Sequence, residues 1–168
     1  MSTIRPVFLF LGLSSLLGVS MVLSLSLGAM PISLGELVGV VGAKIGLVDS
    51  EMVNPAQYAV FWSIRLPRVI AGVLVGGALA LSGVCLQGLF RNPLSDPSLI
   101  GVSAGGSFAA ALVIVLGIPL GPAGYFGLPG FTFLGALVAA FLAYRIARFG
   151  GKTEVSTLLL AGIAINAF

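Results

Sequence analysis

A bundle of membrane-spanning α-helices is the fold class this sequence predicts, and three observations predict it. Only 8% of the 168 residues are charged and 58% are hydrophobic, whereas an ordinary soluble domain is roughly 25% charged. So few charges cannot cover a surface with groups that water solvates. The charges are also placed so that uncharged runs long enough to cross hydrocarbon lie between them. Within those runs, small residues recur at every fourth position, the spacing that lets helix backbones approach closely where lipid supplies no hydrophobic drive for association.

The elements follow in chain order. Arg5 and Glu36 bracket an uncharged stretch whose core, Val7 to Ala29, has 23 residues, enough at about 1.5 Å per residue to cross about 30 Å of hydrocarbon. A signal peptide is the rival reading of this run, but its apolar region would be about 7–15 residues long, so an anchoring first span is preferred. Residues 30–68 carry Pro31, Glu36, Lys44, Asp49, Glu51 and Pro55 and read as an outer loop with an amphipathic or partly buried turn of helix. Arg68 and Arg91 enclose a second span, residues 69–90, led by Tyr58, Phe61 and Trp62, residue types that favour the headgroup boundary.

The polar stretch Arg91-Asn92-Pro93-Leu94-Ser95-Asp96-Pro97 then ends one helix and starts another, with Asp96 placed to cap free amides and Pro97 in the first turn. Pro97 to Tyr144 is uncharged for 48 residues, too long for one crossing. Gly117, Pro119, Gly121, Pro122, Gly124, Gly127, Pro129 and Gly130 divide it into spans three and four, about residues 98–116 and 131–147. Arg145, Arg148 and Lys152 close the fourth. A fifth apolar segment, residues 155–168, has 14 residues, about 21 Å of helix and short of a crossing. The expectation is a single transmembrane domain of four complete spans and a truncated fifth, belonging to a longer protein.

Positive charge near span ends collects on the cytoplasmic side, which puts the N-terminus inside with Arg5, Arg91, Arg145, Arg148 and Lys152, and Lys44, Arg65 and Arg68 outside. Arg65 and Arg68 break the rule as a close outer pair. Charge alone leaves two readings open for them, anchoring at an interface or reception of an acidic partner. The small-residue faces are Gly72, Gly76 and Ala80 on span two, Gly101, Gly105 and Ala109 on span three, and Gly135, Ala139, Ala143 and Ala147 on span four. Packing suffices for most of them. Gly101, Gly105 and Gly106 beside Ser103 and Ser107 would weaken the start of span three, which makes that segment a candidate for lining a pathway.

Several chemistries are disfavoured. A net charge of +3, scattered along the chain, is no nucleic-acid footprint. With no histidine the commonest metal ligand and general base are missing, and neither metal-binding Cys/His sets nor paired catalytic carboxylates occur, so no catalytic or metal residue is assigned. The lone Cys85 reads as packing. Gly101-Val-Ser103-Ala-Gly105 matches a nucleophile elbow, which would make Ser103 the nucleophile of an intramembrane hydrolase, but no strand precedes it and no base accompanies it. Gly151-Lys152-Thr153 lacks the remainder of a phosphate-binding loop, so the chain is not expected to bind nucleotide. A purely structural helix bundle is a third reading.

Arg65-Leu-Pro-Arg68, Gly76-Gly-Ala-Leu-Ala-Leu-Ser-Gly83, Leu86-Gln-Gly-Leu-Phe90, Arg91 to Pro97, Leu99-Ile-Gly-Val-Ser-Ala-Gly-Gly106 and Leu158-Leu-Leu-Ala-Gly-Ile-Ala164, in that order from about residue 57 to 168, resemble one family: the FecCD-type permease subunits of ABC importers for iron-siderophores, haem and vitamin B12. The resemblance implies the N-terminal half of a permease of about ten helices in the inner membrane. It also implies a second permease copy, a cytoplasmic ABC ATPase dimer that binds the ATP and magnesium, and a periplasmic or lipid-anchored substrate-binding protein. By resemblance, Arg65 and Arg68 dock that binding protein, Asn92 and Leu94 belong to a cytoplasmic gate, and the start of span five supplies a neighbouring gate at Val155 and Ser156. Hydroxyl residues are expected at both of the last positions and Val155 has none. The ATPase-gripping helices of the family lie beyond the fifth span.

Overall fold

The computed structural model describes residues 6–120, 124–149 and 152–167. Arg5, Gly121, Pro122, Gly151 and Phe168, which bear on the sequence reading, lie outside the described residues. The chain gathers into two compact units, Met1–Gly77 and Ala78–Phe168.

In the first unit, α1 (Pro6–Ser26) has no buried residue, as suits a helix whose solvent is lipid. The expected outer loop contains more helix than its composition suggested. Ser33 and Glu36 form a reciprocal capping box at the start of α2 (Leu34–Lys44), so two of the amides a helix start leaves orphaned are satisfied. Gly46, at φ +76°, turns the chain just past α2, a conformation open to glycine without steric penalty. A 3-10 turn, Ser50–Met52, leads to Asn54, whose Oδ1 accepts the Ala56 N–H at 2.9 Å and opens α3 (Pro55–Val60) with proline in its first turn. Ile32, Leu37, Val40, Val53 and Phe61 form the buried centre of this unit, flanked by Leu25, Val48, Tyr58 and Trp62.

The second span begins earlier than the sequence suggested. From α3 the chain passes through a π-helical turn, Phe61–Arg65, directly into α4 (Leu66–Phe90), an uninterrupted helical stretch of 36 residues from Pro55 to Phe90. Pro67 accounts for the wide turn: it has no N–H to give the carbonyl four residues back and its ring crowds that carbonyl, so the helix loosens just before it. Arg65 and Arg68 therefore sit inside a helix and not at the edge of a loop.

Glu36 also accepts a 2.8 Å hydrogen bond from Gln57 Nε2. That bond first, and the Ser33 contacts second, hold its carboxyl below the ordinary value of 4.5. The stabilisation is thus present above the unfolded-state pKa and lost as pH falls through the lower folded-state one. Acidification from neutral to about pH 3 should lower the unfolding temperature of the full-length protein, and Glu36→Gln should flatten that part of the profile. An unchanged profile would remove this role from Glu36.

The second unit contains the rest of α4, the hairpin, a 3-10 turn at Pro97–Ile100, α5 (Val102–Val115), α6 (Gly124–Ala147) and α7 (Val155–Ala167). A two-strand ladder, β1 (Arg148–Phe149) and β2 (Lys152–Thr153), pairs Arg148 with Thr153 and Phe149 with Lys152 between α6 and α7; no strand was expected there. In the third segment Gly101 adopts φ +81° and interrupts the helix, so α5 has 14 residues, about 21 Å. The fourth starts earlier than expected, with Gly124, Gly127, Pro129 and Gly130 in its first turns. Among the described residues, three helices are long and apolar enough to cross a membrane, Pro6–Ser26, Pro55–Phe90 and Phe126–Ala147, and two shorter apolar helices, α5 and α7, accompany them.

Candidate functional site

Two clusters gather the residues singled out by sequence, one in each unit. In the first, the π turn aims Arg65 back at the end of α1. Its Nη1 donates to Leu25 O at 2.6 Å and Ser26 O at 3.0 Å, and its Nη2 donates to Met30 O. The side chain is 9% exposed. Leu25 O and Ser26 O are carbonyls that the last turn of a helix leaves without intrahelical partners, Met30 O belongs to the loop that follows, and the end of α1 carries the negative pole of its helix dipole. Arg65, expected from the resemblance to dock a partner, thus donates to backbone carbonyls of its own chain. Arg68, one turn further along α4, is exposed. Both arginines line an open cleft of about 770 Å³ with Leu27, Gly28, Met30 and Ile64. Gly72 and Gly76, next along α4, are exposed and have room around them: a Cβ on either would meet no heavy atom of this chain within 4 Å.

The second cluster is the hairpin. Arg91 leaves α4 in the left-handed region at φ 50°. Asn92 Oδ1 then accepts the Leu94 N–H at 3.0 Å, and Asn92 O accepts the Ser95 N–H at 3.2 Å. Proline between them sets the dihedral such a turn requires. The turn puts Leu94 at its tip, 83% exposed. Asp96 Oδ1 accepts the Ser98 N–H at 2.8 Å, and the Ser98 contacts hold its carboxyl below the usual carboxylate range. The expected cap is present, although it opens a 3-10 turn and not α5 itself.

That 3-10 turn lies against α7. Asn166 Nδ2 donates to Ser98 O at 2.7 Å, and a Cβ on Gly162 would fall closer than 3.0 Å to Leu99 O and to Ile100 Cα. The 3-10 turn after the hairpin and α7 are therefore joined at Gly162 and Asn166, about 10 Å and about 16 Å along α7 from Val155 at 1.5 Å per residue. Val155 and Ser156 stand exposed in the first turn of α7. Sequence reasoning missed Gly162 and Asn166, although Ala161-Gly162 in an apolar helix was a signal of close backbone approach.

Of the glycines considered for a pathway, Gly105 and Gly106 face α6. Gly105 lies against Gly135 and Ala139, and Gly106 against Thr132 and Ala136. Gly101 lies against Ile165 of α7. Ser103 is exposed on α5, which a 3-10 turn and not a strand precedes. The strand-to-helix geometry of a nucleophile elbow is absent at this serine. No group of three or more His, Cys, Asp or Glu residues that could hold a metal occurs among the described residues.

Ser95 is 3% exposed and its Oγ has no hydrogen-bond partner among the described residues. A buried hydroxyl without a partner carries a desolvation cost of about 1–3 kcal/mol, so Ser95→Ala should leave unfolding stability unchanged or raise it by about 1 kcal/mol. A loss of stability on that substitution would mean that the hydroxyl is satisfied in the intact protein.

Three helices long and apolar enough to cross a membrane, and helix contacts made backbone to backbone through glycine, define a multi-pass helical membrane protein. The profile of the FecCD transport family matches residues 16–168, and the chain belongs to that family. The relatives it matches are named as permease proteins of transport and import systems. The chain is 46% identical over 116 residues to the hemin transport system permease protein HmuU of Yersinia pestis, covering 68% of this chain and 34% of that one. It is 48% identical over 104 residues to the cobalamin import system permease protein BtuC of Halobacterium salinarum, covering 62% and 27%. It is 39% identical over 163 residues to the Fe(3+)-citrate import system permease protein YfmE of Bacillus subtilis, covering 97% and 45%. A solved structure, described as an inward-facing conformation of a metal-chelate type ABC transporter, superposes with a TM-score of 0.67 at 32% identity, covering 97% of this chain and 44% of that one. The chain spans less than half the length of each of these proteins.

Proposed function

We propose that this chain is the N-terminal half of a permease that carries an iron chelate or haem across the cytoplasmic membrane, with its N-terminus inside. The observation that carries the reading is the family match over residues 16–168, supported by relatives named for hemin and ferric citrate. The working assembly is a pair of permeases, a cytoplasmic ATPase dimer that binds ATP and magnesium, and an extracytoplasmic substrate-binding protein. In it, Arg68 meets acidic groups of the binding protein at the outer end of α4. Gly72 and Gly76 offer close approach to helices beyond this chain. Leu94, at the tip of a turn shaped by Asn92, closes the cytoplasmic mouth together with the first turn of α7 at Val155 and Ser156.

Import of vitamin B12 is the second reading, favoured by the 48% identity to a cobalamin permease. Growth of a strain lacking the full-length gene separates the two. With iron supplied only as haem or as a ferric chelate, growth should fail on at least one of them and recover on complementation, while labelled cobalamin uptake stays normal. Normal growth on every iron source with lost cobalamin uptake would select the second reading. Normal growth and normal cobalamin uptake together would reject both.

A further inference from the structure

We propose that Arg65 is a positioning residue that locks the exit of α1 onto the α3–α4 helix, and that Arg68 is the partner-facing cation of the pair. The inference rests on the docking reading for Arg68 and replaces it for Arg65. The segment after α1 is a closed loop: the Ile32 N–H donates to Ser26 O at 3.0 Å, and Ser26 Oγ donates to Ile32 O at 2.8 Å. Ile32 is buried in the centre of the first unit. The guanidinium fills this loop, engaging carbonyls of residues 25, 26 and 30 from a position 35 to 40 residues later in the chain. One planar fork reaches all three; a lysine ammonium, a single point of charge on a flexible stem, would not hold the same set.

Gly28 leaves the space for it. Its φ is +155°, and a Cβ there would come within 2.7 Å of Arg65 Nη2, so alanine must displace the guanidinium or the loop. The π turn at residues 61–65 adds one residue to the helical repeat and so changes the direction in which the Arg65 side chain leaves the helix. Without the lock α1 would hold to the unit by little more than its last turn, since it buries no residue of its own. A carboxylate entering the cleft meets the exposed Arg68, while the neighbouring positive charge is already surrounded by carbonyl oxygens.

The test uses the full-length permease assembled with its ATPase, and its binding protein as the probe. Two quantities are read for Arg65→Gln, Arg65→Lys, Gly28→Ala and Arg68→Gln: amide hydrogen exchange over residues 26–32, and the salt dependence of binding-protein affinity. Arg65→Gln and Gly28→Ala should speed exchange by about tenfold or more and leave the salt slope unchanged, with Arg65→Lys only partly restoring protection. Arg68→Gln should weaken binding and flatten the salt slope while exchange stays as in the parent. If Arg65→Gln flattens the salt slope with exchange unchanged, Arg65 contacts the partner and the proposal is overturned. Should Arg65→Gln prevent assembly, Gly28→Ala decides alone: unchanged exchange in that variant overturns the lock. If no variant alters binding-protein affinity, the docking reading fails, and the lock is still judged by exchange.

Discussion

Gly162→Ala should destabilise the full-length protein by about 1–3 kcal/mol or more, a larger effect than at any glycine with open space around it. The added methyl would meet Leu99 O and Ile100 Cα at separations below 3.0 Å, and both are backbone atoms. A crowded side chain could rotate away, but here the 3-10 turn or α7 itself must move, and either movement pulls Asn166 from Ser98 O. The same methyl at Gly12 of α1 meets nothing within 4 Å, so Gly12→Ala should be neutral or slightly stabilising through helix propensity, which favours alanine over glycine by about 1 kcal/mol. Equilibrium unfolding in detergent compares the two directly. Equal effects would mean that α7 does not press on the 3-10 turn in the intact protein.

Gly105→Ala and Gly135→Ala form the second large pair. The packing is reciprocal: Gly135 O occupies the place of a Gly105 Cβ, and Gly105 O that of a Gly135 Cβ, each closer than 3.0 Å. Two antiparallel helices are thus in backbone contact at one crossing, where Cα–H groups face carbonyl oxygens. Ala139, Ala143 and Ala147 continue the contact face of α6, and all three are buried. Either single substitution should cost about 1–3 kcal/mol. The double variant should cost less than the sum of the two, since the first methyl already separates the helices that the second would separate. Additive losses would argue against one shared crossing.

These two expectations also mark what the sequence made legible. The stripes Gly105/Ala109 and Gly135/Ala139 could be read from four-residue spacing, and they do meet each other. The hairpin, its Asp96 cap and the apolar helices were legible for equally local reasons. α2 and α3 were anticipated only as a turn of helix within a loop, although Ser33 with Glu36 and Asn54 with Pro55 are start signals of ordinary strength; the acidic and proline residues around them suggested a loop. The early start of α4 could not be read locally at all. Arg65 and Arg68 have the look of span ends, and what lets Arg65 sit within a helix is a set of carbonyls 35 to 40 residues earlier. Similarly, the shortness of α5 depends on the positive φ of Gly101, whereas composition shows only an uncharged run. The substrate is illegible for a different reason, because relatives of comparable identity are named for hemin, cobalamin and ferric citrate.

The central claim is transport, and reconstitution tests it most directly. Full-length permease, its ATPase and its binding protein in proteoliposomes should accumulate a ferric chelate or haem in the lumen when ATP is present on the ATPase side. Omitting any one component, or replacing Arg68 by Glu, should reduce accumulation to the level of empty vesicles. No ATP-dependent accumulation of haem or any ferric chelate by the complete system, with cobalamin accumulating instead, would contradict the account.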